Sequence, residues 1–198
     1  MPMVQRIARS LSTLPAAPPV APARCDVLEP SRTCWKTATA ARAGVLVDGA
    51  EYFAALEDAL RRARRSLTII GWDVDGSIRL RPDRPEEESP PLGPLLRSLV
   101  EAHDTLEVRI LVWSVAVVHA PGAPLPLLLG AEWQNHPRLQ VKLDTCHPLY
   151  GAHHQKIVVI DDSVAFVGGM DLTIRRWDNR EHKAADPIRV APDGKPYD

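Results

Sequence analysis

The run Ile157-Val158-Val159-Ile160 constrains the fold of this chain more than any other stretch. All four residues are apolar and β-branched, the composition of a strand buried on both faces. Asp161-Asp162-Ser163, suited to a tight turn, follows, and then a second apolar run, Val164 to Val167. A strand pair over 156–160 and 164–167 is therefore predicted. Chemistry flanks it on both sides: His154 and Lys156 stand before it, and Gly168-Gly169-Met170-Asp171 closes it. Positions two apart on an extended strand face the same way, so His154 and Lys156 should share a pocket while Gln155 and Ile157 point away.

Upstream, strand-like and helix-like runs alternate. Val45 to Val47 reads as a short strand, and Asp48 followed by Glu51 has the form of a helix-opening capping box. The spacing predicts a helix from about Ala50 to Arg65, with Tyr52, Leu56, Ala59, Leu60 and Ala63 on its packed face. Arg61, Arg62, Arg64 and Arg65 crowd its last turn, where cations oppose the negative end of the helix dipole. Strands are expected at Ser66 to Trp72, Ser77 to Leu80, Leu106 to Trp113 and Leu139 to Leu143. Helices are expected at about Leu95 to His103 and Leu127 to Asn135, with a Pro- and Glu-rich surface loop over 81–94. Alternation of this kind implies an α/β fold.

The first 43 residues hold six prolines and nine alanines with no apolar period, so a disordered tail over 1–43 and a folded domain over 44–198 are expected. The charge of -1 gives no global pull toward nucleic acid or an acidic membrane, so anion recognition has to be local. Cys25, Cys34 and Cys146 form no CxxC pair, which points to free thiols in a reducing compartment. No run reaches the roughly 18 to 20 apolar residues a membrane helix needs. The longest candidate, Val115 to Gly130, is broken by His119 and three prolines. The Arg6 and Arg9 start lacks an uninterrupted apolar core, so it is not read as a secretory signal.

A neutral imidazole nitrogen can attack phosphorus, an ammonium can offset charge on phosphoryl oxygens, and neither act needs a metal. A glycine pair lets backbone N–H groups approach an anion with no Cβ in the way. His154, Lys156, Gly168 and Gly169 together describe a phosphate-handling site, and no cofactor is expected. Each element alone has a plainer reading, for a Gly-Gly pair is usually a bend and an Asp-Asp-Ser run is usually a turn. The joint spacing is what carries weight. Asp171, Asp178, Glu181 and Asp186 are all near enough in sequence to orient His154. Zinc ligation by Cys146, His147, His153 and His154 matches no common spacing.

The complete pattern, HxKxxxxD followed by GGxD, resembles the signature of the phospholipase D superfamily. The likeness extends to VDGAEYFAALEDALRRARRSLTIIGWDVD, LVW and HHQKIVVIDDSVAFVGGMDLTIRRWD, about residues 44 to 187. These resemble the N-terminal catalytic lobe of bacterial and eukaryotic-type members. The resemblance implies a single α/β lobe, a mixed β-sheet flanked by helices. It makes His154 the nucleophile or its acid partner, Lys156 a phosphate ligand and Asp161 a support of the catalytic motif. Gly168, Gly169 and Asp171 would line the substrate phosphate, and no metal is implied. Gly169 and Asp171 stand where many members have Ser and Asn.

Two-motif members use a second histidine from a second HxKxxxxD, and only 29 residues follow Gly169, with none. His182 is followed directly by Lys183, with Ala184 where the motif lysine belongs. The second half is expected from a missing lobe, this chain being a fragment, or from a homodimer. The expected activity is hydrolysis or transfer of a glycerophospholipid head group through a phosphohistidine, with a phospholipid at a membrane surface as partner. A single-motif dimeric nuclease and a catalytically silent fragment are the alternatives. Nucleic acid is the less favoured substrate because no long cationic track is evident. A cytoplasmic chain with peripheral membrane contact is expected.

Overall fold

The computed structural model describes residues 27–113, 131–148 and 151–197. Its sheet is built outward from the apolar hairpin. β4 (Ile157–Ile160) and β5 (Val164–Val167) pair antiparallel through the Asp161-Asp162-Ser163 turn, in which both aspartates take positive φ, 53° each. On its other side β4 runs antiparallel to β1 (Ser66–Gly71), with Leu67 opposite Ile160 and Ile70 opposite Ile157. β1 is parallel to β2 (Glu107–Trp113), and β2 to β3 (Leu139–Asp144). The result is a mixed five-stranded sheet in the order β3-β2-β1-β4-β5.

Among the described residues two helices flank it: α1 (Asp48–Leu60) and α2 (Leu92–Ala102). Phe53, Leu56, Ala59 and Leu60 of α1 and Leu92, Leu95, Leu96, Leu99 and Val100 of α2 are buried. They pack in one core with Leu67 and Ile69 of β1, Val108, Ile110 and Val112 of β2, and Val158 and Ile160 of β4. The architecture is an α/β lobe. Alternate residues of β1 and β4 are fully buried and the intervening ones half-buried, so the central strands are covered more on one face than the other.

Several local expectations are corrected. Val45 to Val47 is not a strand: Val45 is 88% exposed, and these residues lead into the helix with no neighbouring strand to pair with. Ser77 to Leu80 makes only an isolated bridge, Arg79 to Pro91, because its backbone instead receives the start of α2, Leu92 N–H on Ile78 O. α1 ends at Leu60, so the arginines at 61, 62, 64 and 65 lie beyond its last turn. The capping box is shifted, with Glu51 Oε2 accepting the Val47 N–H at 3.0 Å and Val47 in the cap position. Only a short 3-10 turn, Glu132–Gln134, occupies the described part of the helix expected over 127–135.

The apolar stretch 115–130, with the rest of 114–130, Cys25 and the tail over 1–26, lies outside the described residues. Among the described residues no helix is long and apolar enough to cross a membrane. The described residues 27–44 belong to a different compact unit from residues 45–197. Residues 27–44 hold one tight turn, in which Thr33 Oγ1 accepts the Glu29 N–H at 2.8 Å and donates to Val27 O.

Candidate active site

Strand directions gather the chemistry at one end of the sheet. β1, β2 and β3 all end there, at Gly71, Trp113 and Asp144. β4 begins there with Ile157 beside Ile70, and β5 ends there with Val167 opposite Ile157. His154 and Lys156 therefore enter at the edge where Gly168 and Gly169 leave. The regular strand starts only at Ile157, so strand alternation does not position His154, which precedes it.

Lys156 is buried, its side chain 4% exposed, and Nζ lies 3.1 Å from Asp171 Oδ2, itself 7% exposed. The ammonium also donates to His154 O at 3.2 Å, which leaves one of its three N–H groups uncommitted. Asp171 Oδ1 accepts the N–H groups of Trp72 at 2.8 Å and Asp73 at 3.3 Å. Both oxygens of Asp171 thus hold other parts of the lobe. The Gly168 N–H is committed to Lys156 O at 3.2 Å. A Cβ at either glycine would meet nothing within 4 Å, so the pair faces open space.

His154 is exposed, and its ring makes no hydrogen bond among the described residues. None of the four acids considered from sequence orients it: Asp171 holds Lys156, Asp178 bonds His182, Asp186 takes the Asn179 amide, and Glu181 pairs with Lys183. His153 beside it is bound at both ring nitrogens, Nδ1 to Asp144 Oδ2 and Nε2 to Gly71 O, each at 2.8 Å. The sequence suggests for His153 a local structural or pocket-wall place but not these partners, and an aspartate nine residues upstream is no recognisable signal.

Asp161 stands at the opposite end. Five residues of extended chain at about 3.3 Å each separate it from Lys156, roughly 16 Å. Its carboxylate accepts the N–H groups of Arg64, Arg65 and Ser66 at 2.7 to 3.2 Å, fixing the entry to β1. Burial pushes its carboxyl up, but those three N–H groups and the Arg65 charge outweigh it and hold it below the usual carboxylate value.

Around the site, burial pushes the Asp73 carboxyl up; the Thr173 hydroxyl bond at 2.7 Å opposes this, and the charges of Asp75 and Asp171 add to it. Burial and the Asp171 charge push the Tyr52 hydroxyl up to about 12. Trp72 and Trp113 stack at 5.2 Å, with Trp113 only 8% exposed, so the pair belongs to the wall of the lobe. A cavity of about 810 Å³ lies elsewhere, lined by Phe53, Ile78, Trp133, Trp177, Ile188 and Tyr197, and neither His154 nor Lys156 borders it.

Spacing and fold together define an HxKxxxxD lobe on a mixed α/β sheet. No family model matches the chain. It is 31% identical over 146 residues to phospholipase D2 of Bos taurus, covering 71% of this chain and 15% of that protein. It is 32% identical over 158 residues to phospholipase D zeta 1 of Arabidopsis thaliana, 76% of this chain and 14% of that one. Phospholipase D C of Dictyostelium discoideum is 27% identical over 154 residues, 76% and 9%. The chain is related to the phospholipase D superfamily, and it spans between 9% and 15% of the length of these three relatives.

Proposed function

We propose that the chain supplies one half of a phosphodiesterase that acts on glycerophospholipids. The observation that carries this reading is the contrast between Lys156, buried and held by Asp171, and His154, exposed with an unbonded ring on the carbonyl that Lys156 touches. A bare ring nitrogen of His154 attacks phosphorus, a phosphorus–nitrogen bond forms, and the bond to the leaving alcohol breaks. The leaving oxygen takes its proton from a histidine of a second HxKxxxxD half, which then activates water or another alcohol to release the phosphoryl group. Such acid-base help is worth about 10² to 10⁴ in rate. The free N–H of Lys156 and the Gly169 backbone serve the phosphoryl oxygens, and Asp171 orients the ammonium. The second half comes from a longer polypeptide or a second copy.

The test is cleavage of a chromogenic phosphodiester and of phosphatidylcholine vesicles, with metal chelator present, by the chain in its assembled form. His154→Ala should abolish turnover. Turnover that survives His154→Ala, or that the chelator removes, overturns the reading, as does full activity from a strict monomer of this chain.

A further inference from the structure

Two adjacent histidines have opposite surroundings, one unbonded and one bound at both ring nitrogens. We propose that His153 is a positioning residue whose ring, as an imidazolium, staples the segment carrying His154 to the ends of β1 and β3. Between Gly151 and Lys156 it is the only residue that is not exposed, and that stretch has no regular secondary structure. The other ties among the described residues are Gly151 N–H on Pro148 O at 2.8 Å and Trp113 Nε1 on Gly151 O at 3.1 Å at its start, and Lys156 Nζ on His154 O at 3.2 Å. Among the described residues, the side chain of His153, 11% exposed, is the one in this stretch that bonds to the ends of β1 and β3.

The bonding partners set the proton count. Asp144 Oδ2 and Gly71 O are both acceptors, so each ring nitrogen has to carry a hydrogen for both bonds to be made. A neutral imidazole offers only one N–H, and its bare nitrogen would face an oxygen lone pair. Hydrogen bonds from His153 and from the Cys146 N–H hold the Asp144 carboxyl below the usual carboxylate value, which keeps the acceptor ionised. Charged or titratable groups near this end of the sheet include His147 beside Trp113, Cys146 after β3, Asp73 after β1, and Asp171 with Lys156. Lys142 of β3 and Glu107 and Arg109 of β2 lie further back on their strands. The staple also joins β1 to β3 across the end of β2, so the strands that frame the site and the residue that acts in it are fixed by one ring.

The role of His154 as attacking group rests on the function proposed above; the measurements here need no turnover. Ring 15N correlation spectra should show His153 protonated at both nitrogens. Backbone order parameters at His154 should fall from about 0.85 to below about 0.6 in His153→Phe. Asp144→Asn, which keeps the ring and its volume, should lower them less and serves if the phenylalanine variant fails to fold. Given an active assembly, His153→Phe should lower kcat by up to about 10²-fold with little change in KM, because the attacking group is misplaced and binding is not. A bare nitrogen on His153, or His154 order parameters unchanged in both variants, overturns the role. Absence of turnover in the wild-type assembly bears on the proposed function alone.

Discussion

Asp161 and Asp73 lie near opposite ends of β1, and their surroundings push their carboxyls in opposite directions. For Asp161 the folded value is below the unfolded one, so its contribution is present above the unfolded pKa and is lost as pH falls through the folded pKa. Asp161→Asn should therefore cost about 1 kcal/mol near neutrality, the scale of a charge-assisted hydrogen bond discounted for partial exposure. For Asp73 the folded value is above the unfolded one, so ionisation opposes folding, and stability is lost as pH rises from the unfolded pKa to the folded one. Asp73→Asn should be more stable than the wild type near neutrality. Urea midpoints at about pH 7 and at about pH 3 decide the matter, since both differences should shrink at the acid pH. An Asp161→Asn variant as stable as wild type, or an Asp73→Asn variant less stable than it, contradicts this account.

At the scale of elements, the start of α1 is fastened to the irregular segment that follows the site. Ala50 N–H donates to Asp178 O at 2.8 Å, Arg180 pairs with Glu51 at 2.9 Å, and a Cβ at Gly49 would overlap the Arg176 carbonyl oxygen. Glycine to alanine in an exposed helix gains up to about 1 kcal/mol. Here the sign should reverse: Gly49→Ala should lose about 1 to 3 kcal/mol, because the obstacle is backbone and cannot rotate away. A melting temperature at or above that of wild type would refute the close packing of these two segments. Elements whose signal is local were legible in the sequence. Ile157 to Ile160, all β-branched, and the apolar Val164 to Val167 form strands because two apolar runs joined by a tight turn have one good solution. Val45-Leu46-Val47 is also apolar and forms none, since pairing depends on a neighbour that three residues cannot specify. The spacing His154 to Lys156 to Gly168 picked out residues that meet at one end of the sheet, but not the partners they have there. Asp171 reaches Lys156 and Asp144 reaches His153 only because strand order brings distant residues to one edge.

At the scale of the whole lobe, the sheet has two edges of different character. β3 carries Lys142 and Asp144, charges of the kind that discourage another strand from adding on. β5 reads Val-Ala-Phe-Val with no charge or proline, and Val164 and Val167 are 45% and 77% exposed. An apolar edge strand with unpaired backbone groups favours the approach of another chain. The relatives are several times longer than this chain, so the surroundings of the corresponding strand in them need not be solvent. In isolation the chain should therefore associate as its concentration rises, and a lysine on the edge should weaken that association. Val164→Lys is the informative substitution, because Val164 pairs with Ile160 at the end away from the glycine pair and leaves His154 and Lys156 untouched. Sedimentation velocity across a concentration series should show the wild-type distribution shifting to larger species and the variant shifting at least about tenfold higher in concentration. Identical behaviour of the two chains would mean that β5 is not the associating edge, and a wild type that stays monomeric throughout would mean that the open edge is tolerated as it stands.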